Sequence, residues 1–170
     1  MNTNLYPQCL RELLDSEVFG EAASLALYEV AKNSTDKYKF GTLLQLETET
    51  KARLRPFLYR YHIDLYEEID EAQILGFVEL YLQSSWEQFI ATFKPMVMQY
   101  LKRFKEIAEL GPDQDREILL SMVEHETAIL TWLDLELEGQ EGRSLDAIIA
   151  QINYPLQRPK LRTENAIHLN

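Results

Sequence analysis

Apolar residues recur every three or four positions through most of this chain, and in a few places an acid interrupts the stripe. The clearest case is the segment LLSMVEHETAILTWLDLEL, where Leu119, Met122, Ile129, Leu133 and Leu137 share one helical face and Glu126 takes a core position among them. His125 stands at the shoulder of that face. A buried carboxylate costs several kcal/mol unless it is paired, protonated or bound to a metal, so Glu126 calls for partners from other helices.

Strict apolar–polar alternation bounded by turn residues is absent, and glycine and proline number only six each, which predicts an all-α fold. A first helix is expected from Pro7 to about Lys32, closing at Asn33 and Ser34, with Ser34 or Asp36 placed to cap the next. That second helix should reach about Tyr61, with a late kink at Pro56. After the connector HIDLYEEID, Asp70 and Gln73 form a capping signature for a short helix ending near Leu82. Ser84 and Glu87 repeat the signature ahead of a third long helix, from about Ser85 to Leu110 and bent at Pro95. Gly111-Pro112-Asp113 separates it from the fourth. Gly139 and Gly142 then mark a turn, and Ser144 is placed to cap a short final helix over 145–152. Four long helices with short connections predict an antiparallel four-helix bundle over residues 1–153, with the short helices packed against it.

At 170 residues the chain fits one domain. No apolar run approaches the roughly 20 residues of a membrane span, and no basic flank followed by an apolar run opens the sequence, so a soluble, cytoplasmic protein is expected. The single cysteine, Cys9, excludes an intrachain disulfide. With 28 acidic against 17 basic residues and a net charge of -11, the surface should repel polyphosphate, which argues against nucleic-acid binding. The exception is the end of the chain, 154–170, where Arg158, Lys160 and Arg162 accompany Pro155 and Pro159 in what reads as a solvated tail and a candidate for disorder.

Three of the four long helices carry acids on their predicted inner faces: Glu17 and Glu21 on the first, Glu47 on the second, and Glu126 with His125 on the fourth. Carboxylates with an imidazole suit a divalent metal such as iron or manganese, and helices hold such side chains rigidly. The segment GEAASLALYEVA, with Gly20, Glu21 and Tyr28, resembles the first-helix segment of rubrerythrin-like members of the ferritin-like superfamily. LETETKARL resembles the second-helix segment of the same proteins. The resemblance implies a ferritin-like bundle and oxidation chemistry that uses oxygen or peroxide; the acids on the inner faces, with His125 beside them, then give an expected ligand set of Glu21, Glu47, Glu126 and His125, with Glu17 as a bridging or supporting acid. Where the family's Glu-x-x-His pattern has its histidines, this chain has Thr50 and Ile129. From the third-helix region, Glu79 and Glu87 are the acids available as a further ligand.

Other readings of the same residues stay open. Lys51, one turn beyond Glu47, could replace the metal as counter-ion of Glu21, Glu47 and Glu126 in a metal-free bundle that acts as a binding or subunit protein. Of Glu17 and Glu21, one could face solvent; Glu49 should be solvated and paired with a neighbouring basic residue; Trp86 and Trp132 should pack in the core. A homodimer is expected to use aromatic segments containing Tyr59, Tyr61, Tyr66 and Tyr81. A pocket near Phe93, Met96 and Met98 would suit a small apolar ligand.

Overall fold

The computed structural model describes residues 5–159 and, among them, contains six α-helices and no strand. These are α1 (Leu5–Glu29), α2 (Ser34–Arg60), α3 (Glu71–Gln83), α4 (Trp86–Leu110), α5 (Arg116–Leu137) and α6 (Asp146–Ile149), with a 3-10 turn at Asp113–Asp115 leading into α5. Among the described residues no helix is long and apolar enough to cross a membrane.

Local chemistry sets most of the boundaries. Asn33 caps α2, its Oδ1 accepting from the Asp36 N–H at 2.9 Å, in place of the Ser34 or Asp36 cap expected. Asp70 caps α3 through the Gln73 N–H at 3.1 Å. The capping box of α4 lies one residue later than expected: Ser85 Oγ accepts from the Gln88 N–H and Gln88 Oε1 accepts from the Ser85 N–H. Pro7 falls inside the first turn of α1, where a missing N–H leaves no hydrogen bond unmade, so the helix starts ahead of it. α2 and α4 both continue past their prolines, Pro56 and Pro95. Gly139, at φ +71, closes α5: its N–H donates to Glu136 O and the Gln140 N–H to Leu135 O, the paired bonds of a left-handed helix terminus.

α1 and α2 run antiparallel, since Glu21 meets Thr48 while Tyr28 meets Gly41 further back along α2. α4 and α5 form a second antiparallel pair, in which Phe93 lies beside Trp132, Lys94 pairs with Asp134, and Gly111 meets Leu119. The core has two apolar layers. One gathers Leu27, Phe40, Leu46, Phe89, Ile129 and Trp132, and the other Leu10, Leu14, Leu54, Leu58, Phe104 and Leu119. Along α2 and α5 the buried residues between the two layers include the polar Glu47 with Thr50, and His125 with Glu126, and on α1 the buried Glu17 stands at the edge of the second layer, before Val18. A buried polar layer therefore crosses the middle of the core.

Two further buried acids tie helices together. Glu136 accepts from Lys39 Nζ at 2.6 Å, Trp86 Nε1 at 2.7 Å, Trp132 Nε1 at 3.1 Å and Ser144 Oγ at 2.6 Å. The two tryptophans thus pack in the core as expected and also use their N–H groups; Ser144 serves Glu136 instead of capping α6, which begins at Asp146 without a side-chain cap. Asp115 accepts from Tyr6 and Tyr61 and lies beside Arg60. Of the four tyrosines expected at a partner surface, Tyr59 and Tyr66 are exposed, whereas Tyr61 is held by Asp115 and Tyr81 is buried, donating to Asp36 Oδ2. At the C-terminal end, Arg158 donates to Gly142 O and Asp146 Oδ1, while Lys160 and Arg162 lie outside the described residues.

Candidate metal centre

The polar layer brings together four donors from three helices. α1 contributes Glu17, α2 contributes Glu47, and α5 contributes His125 and Glu126; all four are buried, Glu17 and His125 to within 1% of full burial. His125 Nε2 lies 3.7 Å from Glu17 Oε2 and 3.4 Å from Glu47 Oε2. Ligand atoms of Glu17, His125 and Glu126 all fall within 4.8 Å of one another. On the far side of the ring, Thr50 Oγ1 is 3.0 Å from Nδ1. With Nδ1–H donating to Thr50, Nε2 is the ring atom presented to the carboxylates. Thr50 stands where the Glu-x-x-His pattern has a histidine, so α2 supplies the orienting hydroxyl and α5 the imidazole.

The charges in this layer are strongly coupled. Burial pushes the Glu17 carboxyl well above the usual carboxylate range; the nearby His125 opposes this, and Glu47 and Glu126 add to it. Burial raises Glu126 as well, with His125 lowering and Glu47 raising it, to about 8. Burial would lower His125, but Glu17 and Glu47 outweigh it and hold the imidazolium up to about 10. Without a metal, burial and the neighbouring charges thus favour the imidazolium at His125 and the protonated carboxyl at Glu17 and Glu126. One atom is left over: Glu17 Oε2 is buried with no hydrogen-bond partner. Such an orphan costs about 1–3 kcal/mol, more for a charged group, unless a proton or a cation satisfies it.

Glu21 and Lys51 lie elsewhere. Lys51 Nζ donates to Glu21 and, at 2.7 Å, to Glu67 of the connector, while Thr48 Oγ1 donates to Glu21 at 2.6 Å. Burial pulls the Lys51 ammonium down, and its bonds to Glu21 and Glu67 reverse this and leave it raised. The cation within 4 Å of Glu17 and Glu47 is accordingly His125, and the acid of α1 that enters the buried layer is Glu17, one turn before Glu21. Glu79 and Glu87 are both exposed, so α3 and the start of α4 bring no acid to the layer. α4 passes it at Tyr100, whose phenol is raised by burial and then by the charges of Glu126 and Glu47. Glu49, expected to be solvated beside a basic residue, instead accepts from the Asn153 and Tyr154 N–H groups and fastens the C-terminal segment to α2. Tyr28 packs on Gly41, beneath Lys37.

Gly20 has a direct role here. A Cβ at this position would stand 2.6 Å from Glu47 Cδ and Oε2, so the glycine is the space the Glu47 carboxylate occupies. Alanine favours a helix interior over glycine by about 1 kcal/mol, and the atoms in its way are the mobile end of a side chain. Gly20→Ala should therefore leave thermal stability equal or slightly higher while weakening metal binding by at least about tenfold, the equivalent of about 1.4 kcal/mol, by displacing Glu47. Melting temperature and metal affinity measured on the one variant check both halves. Midway along an otherwise helix-favouring segment, this glycine was the sequence signal for a close approach.

Beside Glu47 and Glu126 lies a cavity of ≈ 40 Å³ whose walls include Phe19, Phe77, Phe93, Met96 and Val97. Met98, expected in the same pocket, points outward and is half exposed.

The chain matches no family model, no curated protein and no solved structure.

Proposed function

We propose that this protein is a metal-binding four-helix bundle of ferritin-like type, in which Glu17, Glu47, His125 and Glu126 hold iron or manganese for oxidation chemistry with oxygen or peroxide. The observation that carries this is the orphaned Glu17 Oε2, buried at the meeting point of three carboxylates and an imidazole whose other nitrogen is already engaged by Thr50. Glu136, a structural acid, accepts four hydrogen bonds and leaves neither oxygen unpaired. The other orphaned buried oxygen among the described residues, Asp115 Oδ1, has the Arg60 guanidinium 3.5 Å away, whereas Glu17 Oε2 faces other carboxyl groups and the His125 ring. Carboxylates with one imidazole favour manganese and iron over the thiolate-loving metals. A redox metal held here would supply electron transfer to oxygen or peroxide. The chain's part is to supply the donors, which a bound metal would deprotonate, to orient the imidazole through Thr50, and to exclude water by the two apolar layers above and below.

A second reading keeps the fold and dispenses with the metal, with the His125 imidazolium as the permanent cation of the layer. It is favoured by the high affinity of that ring for its proton. Elemental mass spectrometry of tag-free protein, produced with iron and manganese in the medium, separates the two. Near-stoichiometric metal that is lost in both Glu47→Ala and Glu126→Ala is the expected result. Folded protein that carries no metal and rejects added iron and manganese would overturn the metal reading and leave the imidazolium one.

A further inference from the structure

We propose that the cavity beside Glu47 and Glu126 binds a small, uncharged, mainly apolar molecule of a few heavy atoms, with any polar end turned toward the two carboxyl groups. Its role as a substrate pocket rests on the metal-centre reading; its capacity to bind does not.

The lining decides the chemical class. Phe19, Phe77, Phe93, Met96 and Val97 present carbon and a thioether, the ionisable groups in the wall are Glu47, Glu126 and the Tyr100 phenol, and Ser16 and Ser24 also line it. No lysine, arginine or histidine lines it, so an anion meets carboxylates with nothing to offset its desolvation. A cation would suit the carboxylates, but most of its surface would lie against aromatic rings and methylenes, far from any other acceptor. A neutral molecule with a largely hydrocarbon or non-polar surface meets neither objection.

Size sets the limit. A cavity of about 150 Å³ accepts benzene and a water needs about 10–15 Å³ on the same kind of measure, so the ≈ 40 Å³ present takes about two to four heavy atoms without rearrangement. Position gives the consequence: a molecule in the cavity abuts Glu47 and Glu126, two of the four proposed ligands.

Xenon is a suitable first probe, since it reports apolar space without hydrogen bonding. With the full-length, metal-free protein, xenon NMR should detect one site, with protein shift changes confined to Ala23, Met96, Val97 and Ile129, which line it. Ala23→Leu fills the cavity from α1 without touching a donor and should weaken xenon binding by about tenfold or more. If that variant is too overpacked to fold, Phe77→Ala on the half-buried face of α3 should enlarge the space and tighten xenon binding instead. 1-Propanol should compete with xenon, and Glu126→Gln should change the affinity for propanol while leaving that for xenon unaltered, which tests the polar end. Absence of xenon binding, or binding that ignores both Ala23→Leu and Phe77→Ala, overturns the proposal. Metal content measured on the protein as isolated, before the metal is removed for the xenon experiment, keeps the two readings apart: metal without xenon binding removes the pocket alone, and xenon binding without metal removes the metal centre and leaves an apolar-ligand site.

Discussion

Metal-free protein is expected to lose stability by several kcal/mol as the pH rises from about 6.5 to about 10, and metal binding is expected to strengthen over the same range. His125 ordinarily releases its proton at 6.5 and in the fold holds it to about 10, so its contribution is complete below 6.5 and lost as the pH climbs through 10. Glu126 moves from 4.5 to about 8 and contributes in the same direction, lost as the pH passes 8; Glu17, raised by burial, adds to it. Each proton that the folded state keeps and the unfolded state has released lowers stability by about 1.4 kcal/mol per pH unit. Between pH 6.5 and about 8 both His125 and Glu126 are in that condition. A dication must expel those same protons, so its affinity climbs where the metal-free fold weakens. Urea unfolding with a chelator at a pH of about 6 and of about 9 should show the midpoint falling, and added manganese should restore most at the higher pH. A midpoint that is flat or rises with pH would show that the three groups are not protonated in the fold. Glu126→Gln, a neutral mimic of the protonated acid, should flatten part of the slope and abolish metal binding together.

Glu136→Ala is expected to destabilise the protein by about 3–5 kcal/mol, among the largest effects of any single change outside the metal centre. The carboxylate is the common acceptor of Lys39 from α2, Trp86 from α4, Trp132 of its own helix and Ser144 from the loop before α6. Its removal leaves a buried ammonium with only Glu141, at 3.6 Å, and strands two indole N–H groups. Lys39 also lies 4.4 Å over the Trp86 ring, and that contact depends on the same anchoring. Adding Lys39→Met to Glu136→Ala should recover a good part of the loss, because the unpaired buried charge is then gone. Chemical denaturation of both variants measures it; a loss below about 1 kcal/mol for Glu136→Ala would mean the four donors find water instead. Metal content should survive in whatever fraction stays folded, since Glu136 lies more than two helical turns along α5 from Glu126.

The sequence by itself determined the helices and the existence of a buried polar layer. Caps, prolines and glycines act over three or four residues, so the breaks near 33, 84 and 111 and the start of α3 after Asp70 were legible, and errors were slips of a residue between neighbouring cap formers such as Ser84 and Ser85. The acid in the apolar stripe of α5 marked Glu126 as buried, since a core face has no tolerance for an unpartnered charge. Only the tertiary structure decided which acids share the layer. Glu17 and Glu21 are one turn apart and about 40° apart around α1, too close for periodicity to separate. The choice was made by the approach of α2: Gly20 admits the Glu47 carboxylate beside Glu17, while Thr48 and Lys51 take Glu21 to the edge, with Glu67 of the connector completing the pair. The same holds for Glu136, which in sequence is an acid near a helix end and in the fold is an acceptor for three separate segments. Helix propensity and capping are local and can be read in order along the chain; which charge faces which depends on the rotation and register of packed helices, and these are set by contacts between residues tens of positions apart.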